Sequence, residues 1–202
     1  APNYESAGCG SGDDSNTCAV VIQVTDGANT DTITVTVNVQ DVNEFSPEFG
    51  DGATATATPN ENQQAVGTYA ASDADGTATQ TYSILTATQN AASVDHDLFS
   101  VASGGVLTFA TAPNYESAGC GSGDDSNTCV VVIQVTDGDN TDTITVTVNV
   151  QDVNEASPEF TDGATATATP NENQQAVGTY AATDADGTAT QTLSLIHISE
   201  PT

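Results

Sequence analysis

The stretch Asp31-Thr32-Ile33-Thr34-Val35-Thr36-Val37-Asn38-Val39-Gln40 decides the fold of this chain. Ile33, Val35, Val37 and Val39 fall on one side of an extended backbone and Thr34, Thr36 and Asn38 on the other, the period of a strand buried on one face. Val20, Ile22 and Val24 alternate in the same way just upstream. Asp26-Gly27-Ala28-Asn29 supplies turn chemistry between the two runs, so together they read as a β-hairpin.

The hairpin occurs twice. Residues 1–81 recur at 112–192 with a shift of 111 positions and five mismatches: Ala19/Val130, Ala28/Asp139, Phe45/Ala156, Gly50/Thr161 and Ser72/Thr183. A period of about 110 residues exceeds the roughly 20 to 50 of solenoid repeats and matches a whole domain with its own core. The second hairpin falls at 131–135 and 144–150, and further short strands are expected at 54–58, 66–70, 81–85, 98–101 and 106–109. Short alternating strands separated by Gly, Asp and Asn turns predict an all-β, seven-stranded Greek-key sandwich of two sheets, repeated in tandem.

On this reading residues 1–44 are the C-terminal part of one unit, 45–155 a complete unit and 156–192 the N-terminal part of a third. The partial units are expected to expose strand edges and inner faces, and so to fray or pair with other chains. Residues 193–202, LSLIHISEPT, abandon the repeat and look like a translated sequencing adapter, a non-native tail in which His197 carries no function. The ends carry no initiating Met and no signal-peptide pattern, which reads as an internal fragment.

With no Lys, no Arg and 28 Asp plus Glu, the chain has a formal charge of -28 and no internal cation. Self-repulsion on that scale argues against nucleic acid and anionic membranes as partners and makes metal cations the natural ones. Such composition also fits disorder, but ordered apolar alternation argues against it. Each copy holds two Cys in an acidic Gly/Ser/Asp loop. Pairing of Cys9 with Cys18 and of Cys120 with Cys129 is the simple reading, with free thiols as the alternative and zinc disfavoured by spacing and the lack of His. Closing such a loop contributes roughly 2 to 3 kcal/mol, and the bond persists in oxidising compartments.

The acidic residues gather in short motifs whose order repeats. Asp41-Val42-Asn43-Glu44-Phe45-Ser46-Pro47-Glu48-Phe49 lies between the last strand of one unit and the first of the next, and 152–160 is its second copy. The others are Asn60-Glu61-Asn62; Asn3-Tyr4-Glu5 and Asn114-Tyr115-Glu116; Asp73-Ala74-Asp75 and Asp184-Ala185-Asp186; and Asp26 and Asp137 in the hairpin turns. Calcium takes about six to eight oxygens, so it needs carboxylates, Asn and carbonyls brought together from separate segments. Any one Asp-Gly is explained as a turn or a solvated loop, but that account does not require a Glu in each of three separate places.

In order, these motifs (Glu-Asn, Asp-x-Asp-Gly, Tyr-Glu, Thr-Asp-Gly, Asp-x-Asn-Glu-x-x-Pro-x-Phe) resemble the cadherin repeat, of the form met in bacterial surface proteins as well as animals; the resemblance covers residues 1–192. It implies calcium ions between successive sandwiches that stiffen a rod. Carried over, the first junction draws on Glu5, Asp41, Asn43 and Glu44 with Asp73, Asp75 and Asp137 from the following unit. The second draws on Glu61, Glu116, Asp152, Asn154 and Glu155 with Asp184 and Asp186. The chain departs from the family in having Asn3 and Asn114, and Glu44 and Glu155, where Asp is usual, and in lacking the Asn that follows Asp-x-Asp, since 77–80 offer none.

The expectation is therefore a non-catalytic, extracellular, membrane-associated module for cell adhesion, homophilic or to cell-surface ligands, or for surface spacing, with no membrane insertion of its own. The alternative is a set of ancillary repeats in a large secreted polysaccharide-acting enzyme. Asp95-His96-Asp97 reads as a solvated loop rather than a metal or acid/base site, Asp13-Asp14 as a solvated face. No pocket-forming insertion or aromatic platform supports a glycosidase.

Overall fold

The computed structural model describes residues 3–6, 16–76, 79–117, 119–120, 127–187 and 191–195. Thirteen strands follow in chain order among the described residues. They are β1 (Thr17–Thr25), β2 (Thr30–Asn38), β3 (Glu48–Phe49), β4 (Thr54–Ala57), β5 (Ala65–Thr68), β6 (Ala71–Ser72), β7 (Thr81–Ile84), β8 (Phe99–Val101), β9 (Val106–Phe109), β10 (Thr128–Thr136), β11 (Thr141–Asn149), β12 (Glu159–Phe160) and β13 (Ala182–Thr183).

Strands β3 to β11 build one sandwich. One sheet has the order β4-β11-β10-β7; facing it are β5-β9-β8 and the short pair β3-β6. Taking β3/β4 and β5/β6 each as one interrupted strand gives the seven strands of a Greek-key β-sandwich, with the chain crossing between sheets after β3, β4, β6, β7 and β9. The alternating apolar side chains meet in the middle: Val131, Ile133, Val135, Ile144, Val146 and Val148 pack on Phe49, Tyr69, Phe99, Leu107 and Phe109. Phe99 and Phe109 stack at 4.7 Å, and Phe49 meets Tyr82 edge-on at 6.2 Å. Gly105 sits at φ +77, and a Cβ there would overlap the Tyr69 carbonyl, whose own residue donates N–H to the Gly105 carbonyl at 2.8 Å.

The parallel β4–β11 pairing, Thr54↔Thr145 to Ala57↔Val148, is a tertiary feature no local pattern announces. Strands β10 and β11 are longer than the apolar runs alone mark, nine residues each, because the antiparallel register runs unbroken from Thr128↔Asn149 to Thr136↔Thr141. The loop after β7 continues the sheet edge instead of being solvated. Asp95 is buried, its carboxylate accepts from the Val130 N–H at 2.7 Å, and buried Ser93 accepts from the Val132 N–H at 3.1 Å. That corrects the reading of Asp95-His96-Asp97: polarity alone does not reveal a carboxylate used to cap a strand edge.

The first hairpin, β1–β2, keeps its pairing while exposing its apolar side chains. It pairs over nine residues with Ile22 opposite Ile33, closed by Asp26. In the stretch 156–187, β12 pairs β13 as β3 pairs β6, but the counterparts of β4 and β5 form no strand. Cys120 and Cys129 form a disulfide whose half-cystines are both buried. Cys18 is also disulfide-bonded, while Cys9 lies outside the described residues, as do Asp13, Asp14, Thr77 and residues 196–202.

Candidate metal centres

At the first junction four segments converge. The linker 41–47 leaves β2 without regular structure, and its direction is set by the next sandwich. The Phe45 N–H donates to buried Asp75 Oδ2 at 2.9 Å, and the Phe45 carbonyl accepts from Asn140 Nδ2 at 2.8 Å. Asp75 is itself held in a tight turn, its N–H donating to Asp73 Oδ1 at 2.9 Å. Oxygens of Glu5, Glu44 and Asp75 lie within 4.8 Å of one another. Asn43, turned with its amide nitrogen toward the acids, donates to Asp75 Oδ2 at 2.7 Å and Asp137 Oδ2 at 3.3 Å, so the β10–β11 turn joins the same cluster.

The second junction uses the counterparts. Glu61, 3% exposed, links two elements: Oε2 accepts from the Tyr115 N–H at 2.7 Å and Oε1 from the Val153 N–H at 2.9 Å. Oxygens of Glu61, Glu116 and Glu155 lie within 4.8 Å of one another. Buried Asp186 accepts from the Ala156 N–H at 2.9 Å and is held through Asp184 at 3.1 Å, the geometry of Asp75 and Asp73 repeated.

The two clusters differ at one edge. Asn43 is half-buried against Asp137, whereas Asn154 is exposed. Asp41 and Asp152 are half-buried at the ends of their hairpins, close enough to add repulsion at Glu44 and Glu116 respectively.

The electrostatics are those of crowded anions. Desolvation, then the charges of Glu5, Asp75 and Asp41, raise the Glu44 pKa above its ordinary value. At Glu116 its own backbone N–H favours the ionised form, but desolvation and the charges of Glu61, Glu155 and Asp152 outweigh it and the pKa is again raised. Asp137 is lowered, chiefly by the Asn140 N–H, with help from the Asp139 N–H and the Asn43 and Asn140 side chains.

Residues that the motifs did not mark as ligands also shape the clusters. Asn62 Nδ2 donates to Glu155 Oε1 at 2.9 Å from a left-handed backbone, φ 61, which Asn tolerates better than most residues. Asn16 and Asn127 each donate to a Tyr carbonyl next to a cluster Glu. Asn3 and Asn114 point into their own turns, where Oδ1 accepts from the Ser6 and Ser117 N–H respectively.

No protein-family model and no curated protein matches the sequence. Solved structures do resemble the fold. Human CDH23 EC21-23 aligns at 20% identity and TM-score 0.56, over 84% of this chain and 58% of that one. Mouse clustered PcdhgC3 EC1-3 aligns at 21% and 0.55, over 75% and 46%, and the Protocadherin GammaB4 extracellular domain at 20% and 0.54, over 72% and 22%. The chain thus spans between a fifth and three fifths of these proteins. At such identity the likeness establishes the architecture: this chain has a cadherin-like β-sandwich fold.

Proposed function

We propose that both acidic clusters bind calcium and that the ions stiffen the joints between successive sandwiches, giving an extracellular rod for cell adhesion or cell-surface spacing. The observation that carries this reading is Glu5. Both of its carboxylate oxygens are shielded from solvent with no hydrogen-bond donor, beside Glu44 and Asp75, and Asp73 Oδ2 is in the same condition. A desolvated carboxylate without donor or counter-charge costs several kcal/mol, and the chain contains no Lys or Arg to supply the charge.

The donor set fits the ion. The clustered ligand atoms are hard carboxylate oxygens of Glu and Asp, with neither Cys nor His in either cluster, which suits calcium rather than zinc. Glu5, Asp41, Asn43, Glu44, Asp73, Asp75 and Asp137 would hold ions at the first joint; Glu61, Glu116, Asp152, Asn154, Glu155, Asp184 and Asp186 would hold them at the second. Without cations the acids repel and the joint flexes; coordination reverses the sign of the interaction. Affinities of about 10⁻⁴ to 10⁻³ M are expected of extracellular modules. Partners of such a rod are other repeats of its kind or cell-surface ligands, and its disulfides suit an oxidising exterior.

Thermal melting of the whole chain in calcium and in chelator tests the reading. At 10 mM calcium each site should add about 1 to 3 kcal/mol by mass action, raising the midpoint, and small-angle scattering should show a longer, stiffer particle. Glu5→Gln should remove most of the effect at the first joint and leave the second. An unchanged midpoint with no heat of binding in calorimetry would sink the proposal.

A further inference from the structure

We infer that Asn127, and Asn16 at the first joint, are positioning residues that aim Glu116 and Glu5 at the ion. This rests on the calcium reading above. Glu116 lies on a segment with no strand or helix of its own, so neither ladder nor helix fixes its direction. The residue before it is gripped at both ends: the Tyr115 N–H donates to Glu61 Oε2 at 2.7 Å, and its carbonyl accepts from Asn127 Nδ2 at 2.9 Å. That carbonyl shares a rigid peptide plane with the Glu116 N–H. Asn127 therefore sets the plane from which the Glu116 side chain departs.

Asn127 is itself well anchored. Its carbonyl accepts from the Val150 N–H at 2.8 Å, and it stands two residues before Cys129, which is bonded to Cys120 in the core. The first copy repeats the arrangement, with Asn16 Nδ2 to the Tyr4 carbonyl at 2.9 Å and the Val39 N–H to the Asn16 carbonyl at 2.9 Å. There the hairpin is largely solvent-exposed, so the contact is no by-product of sandwich packing. An amide also suits the task electrostatically. It donates without carrying a positive charge that would compete with the ion for Glu116, as Lys or Arg would.

The test is a calcium titration of the whole chain followed by the Tyr115 and Val153 amide NMR signals, both of which report on Glu61 in the second cluster. Asn127→Ala should weaken binding there by about 10- to 100-fold, as loss of a ligand-orienting partner does, and Asn16→Ala should not. In a Glu116→Gln background, Asn127→Ala should add nothing further, because it acts through Glu116. Unchanged affinity in Asn127→Ala, or an equal loss in both backgrounds, overturns the inference while leaving the calcium reading intact. Absence of any calcium response in the unaltered chain overturns the reading itself.

Discussion

Two hairpins of nearly the same sequence meet opposite fates in this molecule. In β1–β2 and β10–β11 the registers are the same after the 111-residue shift, Ile22 opposite Ile33 and Ile133 opposite Ile144. Yet Ile22 and Ile33 are 53% and 61% exposed, whereas Ile133 and Ile144 are fully buried. Pairing within a hairpin is local, requiring a turn and two runs of suitable residues. Burial is not: β10–β11 is flanked by β4 and β7 and covered by β5, β8 and β9, and β1–β2 has no such cover among the described residues. Phe49 and Phe160 repeat the lesson at 5% and 53% exposure.

The comparison breaks most readily by truncating the same side chain in both copies. Ile133→Ala should cost about 2 to 5 kcal/mol, lost transfer energy plus a cavity, whereas Ile22→Ala should stay within about 0.5 kcal/mol, as for an exposed site. Denaturant unfolding of the whole chain measures both, and equal costs would show that the first hairpin is covered in solution.

A smaller contrast is expected at Asp142 and Asp31. Asp142 Oδ2 accepts from the Phe49 N–H at 3.0 Å, tying β3 to β11, while Asp31 accepts from its neighbour Thr32. Asp142→Ala should cost about 1.5 to 3 kcal/mol, the range for a hydrogen bond to a charged group. Asp31→Ala should be close to neutral in the same unfolding experiment.

The smallest effect is a pH dependence in chelator. Glu44 and Glu116 have folded pKa values above their ordinary 4.5, so the folded state takes up their protons first, and metal-free stability rises as pH falls from neutral through those folded values. Asp26, held low chiefly by the Asn29 N–H, and Asp137 lie below 3.8; the stability they contribute is present above that value and lost as pH falls through their folded pKa values. Melting midpoints without calcium should therefore pass through a maximum on the acid side of neutrality. A steady decline from neutral pH downward would contradict the crowding of acids at the joints.

Much of this was legible from residues alone. The two-residue period, the Asp-Gly turns and the repeat gave the hairpins, and β9 begins and ends where alternation places it, at Val106–Phe109. The acidic motifs contain Glu5, Glu44 and Asp75, and Glu61, Glu116 and Glu155, two groups whose oxygens lie within 4.8 Å of one another. Asn62, Asn127 and Asn140 were not legible in these roles, because a donor that reaches a distant carboxylate or carbonyl leaves no periodic trace. The same holds for Asp95, which polarity places in solvent and the fold places on the β10 edge.

By itself the sequence determined which segments extend, which turn, and how β1 aligns with β2 and β10 with β11, since backbone sterics and nearest-neighbour pairing act over a few residues. Only the tertiary structure decided which backbone N–H groups a buried Glu61 holds across 50 to 90 residues of chain, and which carboxylate oxygens are left without a donor. Burial and charge crowding are properties of surfaces brought together, and two nearly identical segments share a conformation without sharing neighbours.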